Sequence, residues 1–493
     1  MREAAPRIVP RLLIAPTLVE WWFGFATLAP SLADYKMMQR VNPLTRGALI
    51  GVALLSVAAQ ATALSHAPET GDLALQVSSP KVSDPKGSET LNAAARAQID
   101  YGREALEAGD LNAAEEAFAQ AAKAQPTAYS PRLGLADVAL RRNRRSDAEK
   151  FMKEALVNGQ SSAEVAAAAG RLAFALGQTA EGEKQLQRAI AIDPNFVTPQ
   201  TDLGEIYLAS GRVPEAVKSF RNAIAASPEH PGARFGLGRA LAAGGDLAGA
   251  AAAFEDAARL SPGNPLPLIA LAELQAKNRQ FDQALASLDR AAKVQPSNMR
   301  IGIARADVLV LSGARDKAVV ELTEMLKTAQ PPGSAHVFLK LGILQQAAGQ
   351  LDAAQSSYLR AVEADDKIPL AHNNLAWVAA ERKRDLDLAL RHALRALDLQ
   401  PGTPSFEDTL GFVHSARGEY DQAIEAYGNA IKSAPGVPDF HYRLALALQA
   451  KGQPVKAAAS FKSALDLGKP FADKQDAQAR LKALSAKHQG RKP

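Results

Sequence analysis

From residue 95 onward, apolar residues recur every three or four positions in runs that end at a glycine or a proline, the spacing of helices buried along one face. The stretch TDLGEIYLASGRVPEAVKSFRNAIAASPEH (201–230) shows the pattern whole. One amphipathic helix breaks at Gly211 and a second stops at Pro228. A hairpin of two short alanine-rich helices cannot cover its own apolar face. Thirty-four residues further on, FGLGRALAAGGDLAGAAAAFEDAARLSPGN repeats it, with Gly204 answered by Gly238, Gly211 by Gly245, Phe220 by Phe254 and Pro228 by Pro262. The next copy of the hairpin is the cover. A fixed period of this size predicts a stacked array in which each unit touches its neighbours.

Seven copies run without a gap from 95, 129, 163, 197, 231, 265 and 299. Gly333 and Ser334 are then inserted, and further copies start at 335, 369, 404 and 438, the copy at 369 carrying one extra residue near ERKRDLD. Eleven units thus cover residues 95–471. FADKQDAQARLKALSAKH follows as a polar, amphipathic helix without a partner, expected to cap the array, so that residues 472–493 read as a capping helix and a disordered tail. Glycines such as Gly109, Gly177, Gly211, Gly245 and Gly313 fall between helices, where a left-handed turn is expected. Asn143 and Arg279 stand where that glycine is usual. Asp282, Asp316, Asp352, Asp387 and Asp421 sit where second helices begin, placed to cap free amides.

The unit resembles the tetratricopeptide repeat, a helix–turn–helix of 34 residues. The family's small residue in the eighth place is here Gly102, Ala136, Gly170, Gly204, Gly238, Ala272, Ala306, Gly342, Ala376, Gly411 and Ala445. Its aromatic in the second helix is Phe118, Phe220, Phe254, Tyr358, Tyr427 and Phe461. The resemblance implies an all-α, right-handed superhelical solenoid of about eleven units. It also implies a concave groove lined by the second, fifth, ninth, twelfth and thirteenth places of the first helices. The ninth place reads Arg103, Asp137, Arg171, Glu205, Arg239, Glu273 and Asp307, a ladder of charge, and then Ile343, Trp377, Phe412 and Leu446. The closing units add His336, His372, Asn373, Asn374, Asp408, His414, His441 and Tyr442 around Trp377 and Phe412. Aromatic rings beside short polar groups suit an extended peptide or a sugar ring, and the alternative is that the two large rings are plugs between first helices. The family's lysine–asparagine clamp for a peptide's terminal carboxylate is missing, since Leu339 and Ile343 precede Asn374.

Composition narrows the chemistry. Cysteine is absent, which excludes disulfides, thiolate metal sites and cysteine nucleophiles. The net charge of +5 is spread over 493 residues of alternating sign, a solvated repeat surface and not a nucleic-acid face. RRNRR (141–145) falls in a turn between helices, and the Gly236–Gly238 pair belongs to the repeat, without the strand that a nucleotide-binding loop requires. The eight histidines show no metal-ligand spacing. No stretch outside the array is left to fold as a catalytic domain, so neither an enzyme nor a cofactor is expected.

The N-terminal segments carry addresses. Arg40 and Arg46 precede an apolar run from Ala48 to Ala59, and Ala61-Thr62-Ala63 supplies small residues at cleavage spacing, so residues 37–63 read as a secretory signal peptide. An uncleaved anchor in the inner membrane, with a cytoplasm-facing adaptor, is the alternative. Residues 1–36 read as an extension of the reading frame or a first membrane segment, and residues 64–94 as a flexible linker rich in Pro, Ser, Lys and Asp. The closing run from HNNLAWVAAE to FHYRLALALQAKG is similar to bacterial envelope tetratricopeptide proteins that accompany exopolysaccharide export and protein sorting. That resemblance implies a periplasmic or envelope scaffold with protein partners. Direct polysaccharide binding remains open.

Overall fold

The computed structural model describes residues 89–489. The N-terminal extension, the signal segment, the linker up to residue 88 and the last four residues lie outside the described residues. Among the described residues there are 23 α-helices and no strand. Twenty-two form eleven hairpins whose first helices begin at Ala93, Ser130, Ala163, Val197, Pro231, Leu266, Met299, Ser334, Pro369, Pro404 and Pro438. Each start lies within two residues of the one read from the spacing. No helix among the described residues is long and apolar enough to cross a membrane.

The chain divides into two compact bodies, residues 89–344 with 360–365, and residues 345–359 with 366–489. In the first body the hairpins are joined by large rings seated on glycine. Phe220 is fully buried, and a β-carbon on Gly204 of its own hairpin would come within 2.7 Å of its ring. One on Gly236, in the next unit, would come within 2.3 Å. Phe118 sits the same way between Gly102 (2.8 Å) and Gly134 (2.6 Å). In the second body Tyr427 occupies the corresponding seat on Gly411 at 2.7 Å. The small residue of the eighth place thus makes room for the ring of its own second helix. Alanines such as Ala114, Ala216 and Ala423, all fully buried, fill the remaining helix crossings.

The inter-helix turns are left-handed whether or not glycine occupies them: φ is 71° at Gly211 but also 56° at Asn143 and 60° at Arg279. The expected aspartate caps are corrected by the structure. Asp282, Asp316, Asp387 and Asp421 lie inside the first turn of their helices, two residues beyond the cap position, and the cap residues themselves make no side-chain capping bond. From that position Asp387 pairs with Arg417 and Asp421 with Lys451, while Asp352, also in a first turn, pairs with Arg382. Side-chain caps are instead made by Asn92, Asp110, Ser162, His230, Asp246 and Asn298.

Both ends of the described chain are tied down. Glu89 accepts from the backbone N–H groups of Tyr129 (2.7 Å) and Ser130 (2.9 Å), and Asn92 caps the first helix, so order begins ahead of residue 95. At the other end Phe471 and Ala477 are buried with Tyr442 and Phe461 of the last hairpin, and the Tyr442 hydroxyl donates to Asp476 at 2.7 Å. The helix Lys474–Gln489 therefore covers the apolar face that the eleventh unit leaves bare.

Candidate functional site

In the second body the first helices of units nine, ten and eleven (Pro369–Glu381, Pro404–Arg417 and Pro438–Ala450) touch in succession. Residues four apart share a helix face, so Asn373, Trp377 and Glu381 form one stripe, with Asp408 and Phe412 on the helix beside it. The stripes meet where the Trp377 and Phe412 rings stack, centroids 4.5 Å apart at 29°. Both rings are half-buried. The Arg443 guanidinium, from the third helix, lies 4.8 Å from the centre of the Trp377 ring and pairs with Asp408.

Around this stack, buried polar atoms lack partners. Asn373 is 2% exposed and Asp408 4%, yet Asn373 Oδ1 and Asp408 Oδ1 accept no hydrogen bond. Both carboxylate oxygens of Glu381 are in the same condition, as is the indole Nε1 of Trp377. Burial raises the Glu381 pKa, opposed by the nearby indole N–H, although the two groups fall short of a well-formed bond. Burial also raises Asp408, opposed by the Arg443 charge. Isolated buried acceptors cost about 1–3 kcal/mol each, and more when charged. A fold stitched together by alanine has no packing need for them.

The other residues singled out from the sequence go elsewhere. Asn374 is buried, and its Oδ1 accepts from Asn373 Nδ2 at 3.2 Å. His372 is buried against His392, with Nδ1 atoms 2.8 Å apart, and its Nε2 faces the Asp366 carbonyl at 2.9 Å. His414 meets Glu419 at 2.7 Å in the inter-helix turn, and His441 Nε2 lies 2.9 Å from the Pro435 carbonyl. Tyr442 belongs to the capping contact. His336 is exposed and lies in the other body. Glu381 and Arg443 escaped the sequence reading. The thirteenth place does not single out the first of them, since it is glutamate at 107 as well as at 381, arginine at 141 and lysine at 277.

The charged ladder of the first body is largely paired, for the most part with charged residues outside the ladder. Arg239 pairs with Glu205 of the preceding unit at 2.8 Å, Arg171 with Asp202 at 3.0 Å, Asp137 with Arg141 at 3.2 Å and Asp307 with Lys340. Arg103 reaches Asp100 at 3.9 Å. Glu273 has its pKa raised by burial, with Arg300 opposing and Asp307 adding to the shift. Asp137 is fully buried, and its Oδ2 is one of the few ladder atoms left unpaired, with Arg171 Nε another. Among the described residues no group of three or more His, Cys, Asp or Glu side chains could hold a metal ion.

Two sequence profiles, each described as tetratricopeptide repeat, match the chain, one at residues 201–265, 339–404 and 410–470 and the other at 105–172 and 241–308. Together they span more than half of it. No curated protein matches the chain. Among solved structures, yeast Tom70 is 14% identical over 80% of this chain and 96% of its own, at a TM-score of 0.41. The pilF protein of Pseudomonas aeruginosa is 18% identical over 43% of this chain and 97% of its own, at 0.36. YrrB, described as a TPR protein with an unusual peptide-binding site, is 23% identical over 41% of this chain and 99% of its own, at 0.31. Likenesses at these scores carry no statement about function.

Proposed function

The chain belongs to the tetratricopeptide-repeat family, and from that premise we propose that it is an exported, non-catalytic scaffold that holds an extended segment of a partner protein on the first helices of units nine to eleven. The observation that carries this reading is the set of buried, unpartnered polar atoms on Asn373, Trp377, Glu381 and Asp408 around the Trp377–Phe412 stack. An extended chain offers hydrogen-bonding groups at every residue, about 3.3 Å apart, and the stripe from Asn373 to Glu381 rises about 12 Å along its helix. That is room for about four residues of such a segment.

The partner we assign to a bacterial envelope assembly, with exopolysaccharide export as the leading case. The signal-like arrangement of Arg40, Arg46, Ala48 to Ala59 and Ala61-Thr62-Ala63 supports export to the periplasm. Direct glycan capture is the second reading. It is the weaker, because a sugar needs an open ring face, whereas Trp377 is stacked on Phe412 and approached by Arg443.

Site-specific photocrosslinking in cells tests the proposal. A benzophenone side chain replacing Leu446, in the ninth place of unit eleven, should trap an envelope protein, while one replacing the exposed Val455 on a second helix should not. Mature protein from the envelope fraction should begin near Leu64. Equal crosslinking from both positions would remove the groove from the argument, and an intact N-terminus on protein confined to the cytoplasm would remove the export.

A further inference from the structure

The unpaired atoms in units nine to eleven are lopsided in kind. Four are acceptors, Asn373 Oδ1, Asp408 Oδ1 and the two Glu381 oxygens, and the one donor, Trp377 Nε1, sits beside Glu381. A terminal carboxylate, a phosphate or a sulfate would add acceptors to acceptors. A neutral sugar would bring donors and acceptors in near balance. Only a donor-rich group without acceptors of its own answers this inventory, and among protein side chains that means the guanidinium of arginine or the ammonium of lysine. The protein supplies its own template for the fit, since Arg443 lies over the Trp377 ring while donating to the other oxygen of Asp408. The first body offers a contrast. There most of the ninth-place charges have ion-pair partners, Arg239 with Glu205 and Arg171 with Asp202 among them.

We infer that this strip is a receptor for a basic side chain, an arginine or lysine of an extended protein segment that pairs with Glu381 beside the Trp377–Phe412 stack. The inference rests on the reading that this face binds such a segment, and it assigns the segment's charge. Its polarity is the reverse of a clamp for a terminal carboxylate. In the free protein the Glu381 carboxylate has no countercharge, so burial works against its ionised form. The incoming cation supplies the missing partner, with the charge-assisted hydrogen bonds that are the stronger kind. Asn373 and Asp408 then take up donors from the segment's backbone or a second basic residue.

A displayed library of random twelve-residue peptides, selected on the full chain, tests the assignment. The selected peptides should be enriched in Arg or Lys at one position, and replacing that arginine by citrulline should weaken binding by roughly tenfold, the equivalent of about 1.4 kcal/mol. Glu381→Gln should weaken the same peptide to a similar degree while leaving the thermal midpoint unchanged or higher, because the substitution removes a buried charge without a partner. A purely structural glutamate would lower the midpoint instead. If the variant fails to fold, the citrulline exchange still decides, since it leaves the protein untouched. Peptides that bind this face with no preference for basic residues would overturn the inference and leave the scaffold reading standing. Failure to select any peptide that competes for this face would overturn both.

Discussion

Gly204→Ala and Gly428→Ala are the same chemical change inside two helices, and the structure predicts opposite outcomes. An alanine in place of glycine in a helix interior gains about 1 kcal/mol in propensity. At Gly428, which is exposed, a β-carbon meets nothing within 4 Å, so the gain should appear nearly whole. At Gly204 the new carbon would sit 2.7 Å from two atoms of the Phe220 ring, which is 1% exposed. The ring has little room to move, because Gly236 of the next unit approaches the same ring atoms. Overpacking of this kind costs about 1–3 kcal/mol, which leaves a net loss of up to about 2 kcal/mol. Propensity cancels in the difference between the two variants and isolates the packing cost. Because a stacked array need not unfold in one step, the assay is hydrogen exchange resolved by residue. Loss of protection in the Gly204 variant should centre on the units that share Phe220 and fade with distance. A Gly204→Ala protein as stabilised as its Gly428→Ala counterpart would refute the seating of the ring.

Three further outcomes are expected. His392 has its pKa pushed down to about 4 by burial, then by His372 and Arg391, against about 6.5 in an unfolded chain; its contribution is therefore whole above about pH 6.5 and lost as the pH falls toward 4. Urea titrations of wild type and His392→Asn should differ by roughly 1 kcal/mol in what they lose between pH 7 and 5, discounted because the imidazole is only half-buried, and equal losses would dismiss the effect. Arg279→Gly should raise stability by about 0.5–1 kcal/mol, since the exposed arginine holds φ at 60° where glycine is at ease, and a lowered thermal midpoint would count against this. Truncating Trp377 and Phe412 singly and together should give a coupling of about 1 kcal/mol in a double-mutant cycle, whereas additive effects would mean that the stacked pair adds nothing beyond burial.

Much of the fold was legible because the features that define a hairpin are local. Gly211 must turn, Pro228 must stop, and Phe220 recurs as Phe254, so the eleven units and the closing helix could be placed by spacing alone. The site was legible only by place. The fifth and ninth positions pointed to Asn373, Trp377, Asp408 and Phe412, but place on a helix says nothing of what a neighbour's side chain does. Arg443 reaches Asp408 from 35 residues away, and Arg239 reaches Glu205 across a unit boundary, so most charges of the ladder are already paired within the array. The aspartates show the opposite error. Asp387 and Asp421 have the right chemistry for a cap but miss it by two residues, a distance that propensity does not resolve.

The rings seated on two glycines bear on how such a chain can grow or shrink. Phe220 leans on Gly204 in its own hairpin and on Gly236 in the following one, and Phe118 does the same with Gly102 and Gly134. The segment duplicated or deleted in the history of this gene need not therefore begin where a hairpin begins. A chain cut after Pro228 would strip one side of Phe220, whereas a cut after the next first helix, Pro231–Ala243, would leave the ring enclosed. Viable shortened forms of the first body should end one helix beyond the hairpin boundary, and recombination between related arrays should favour the same out-of-phase joints.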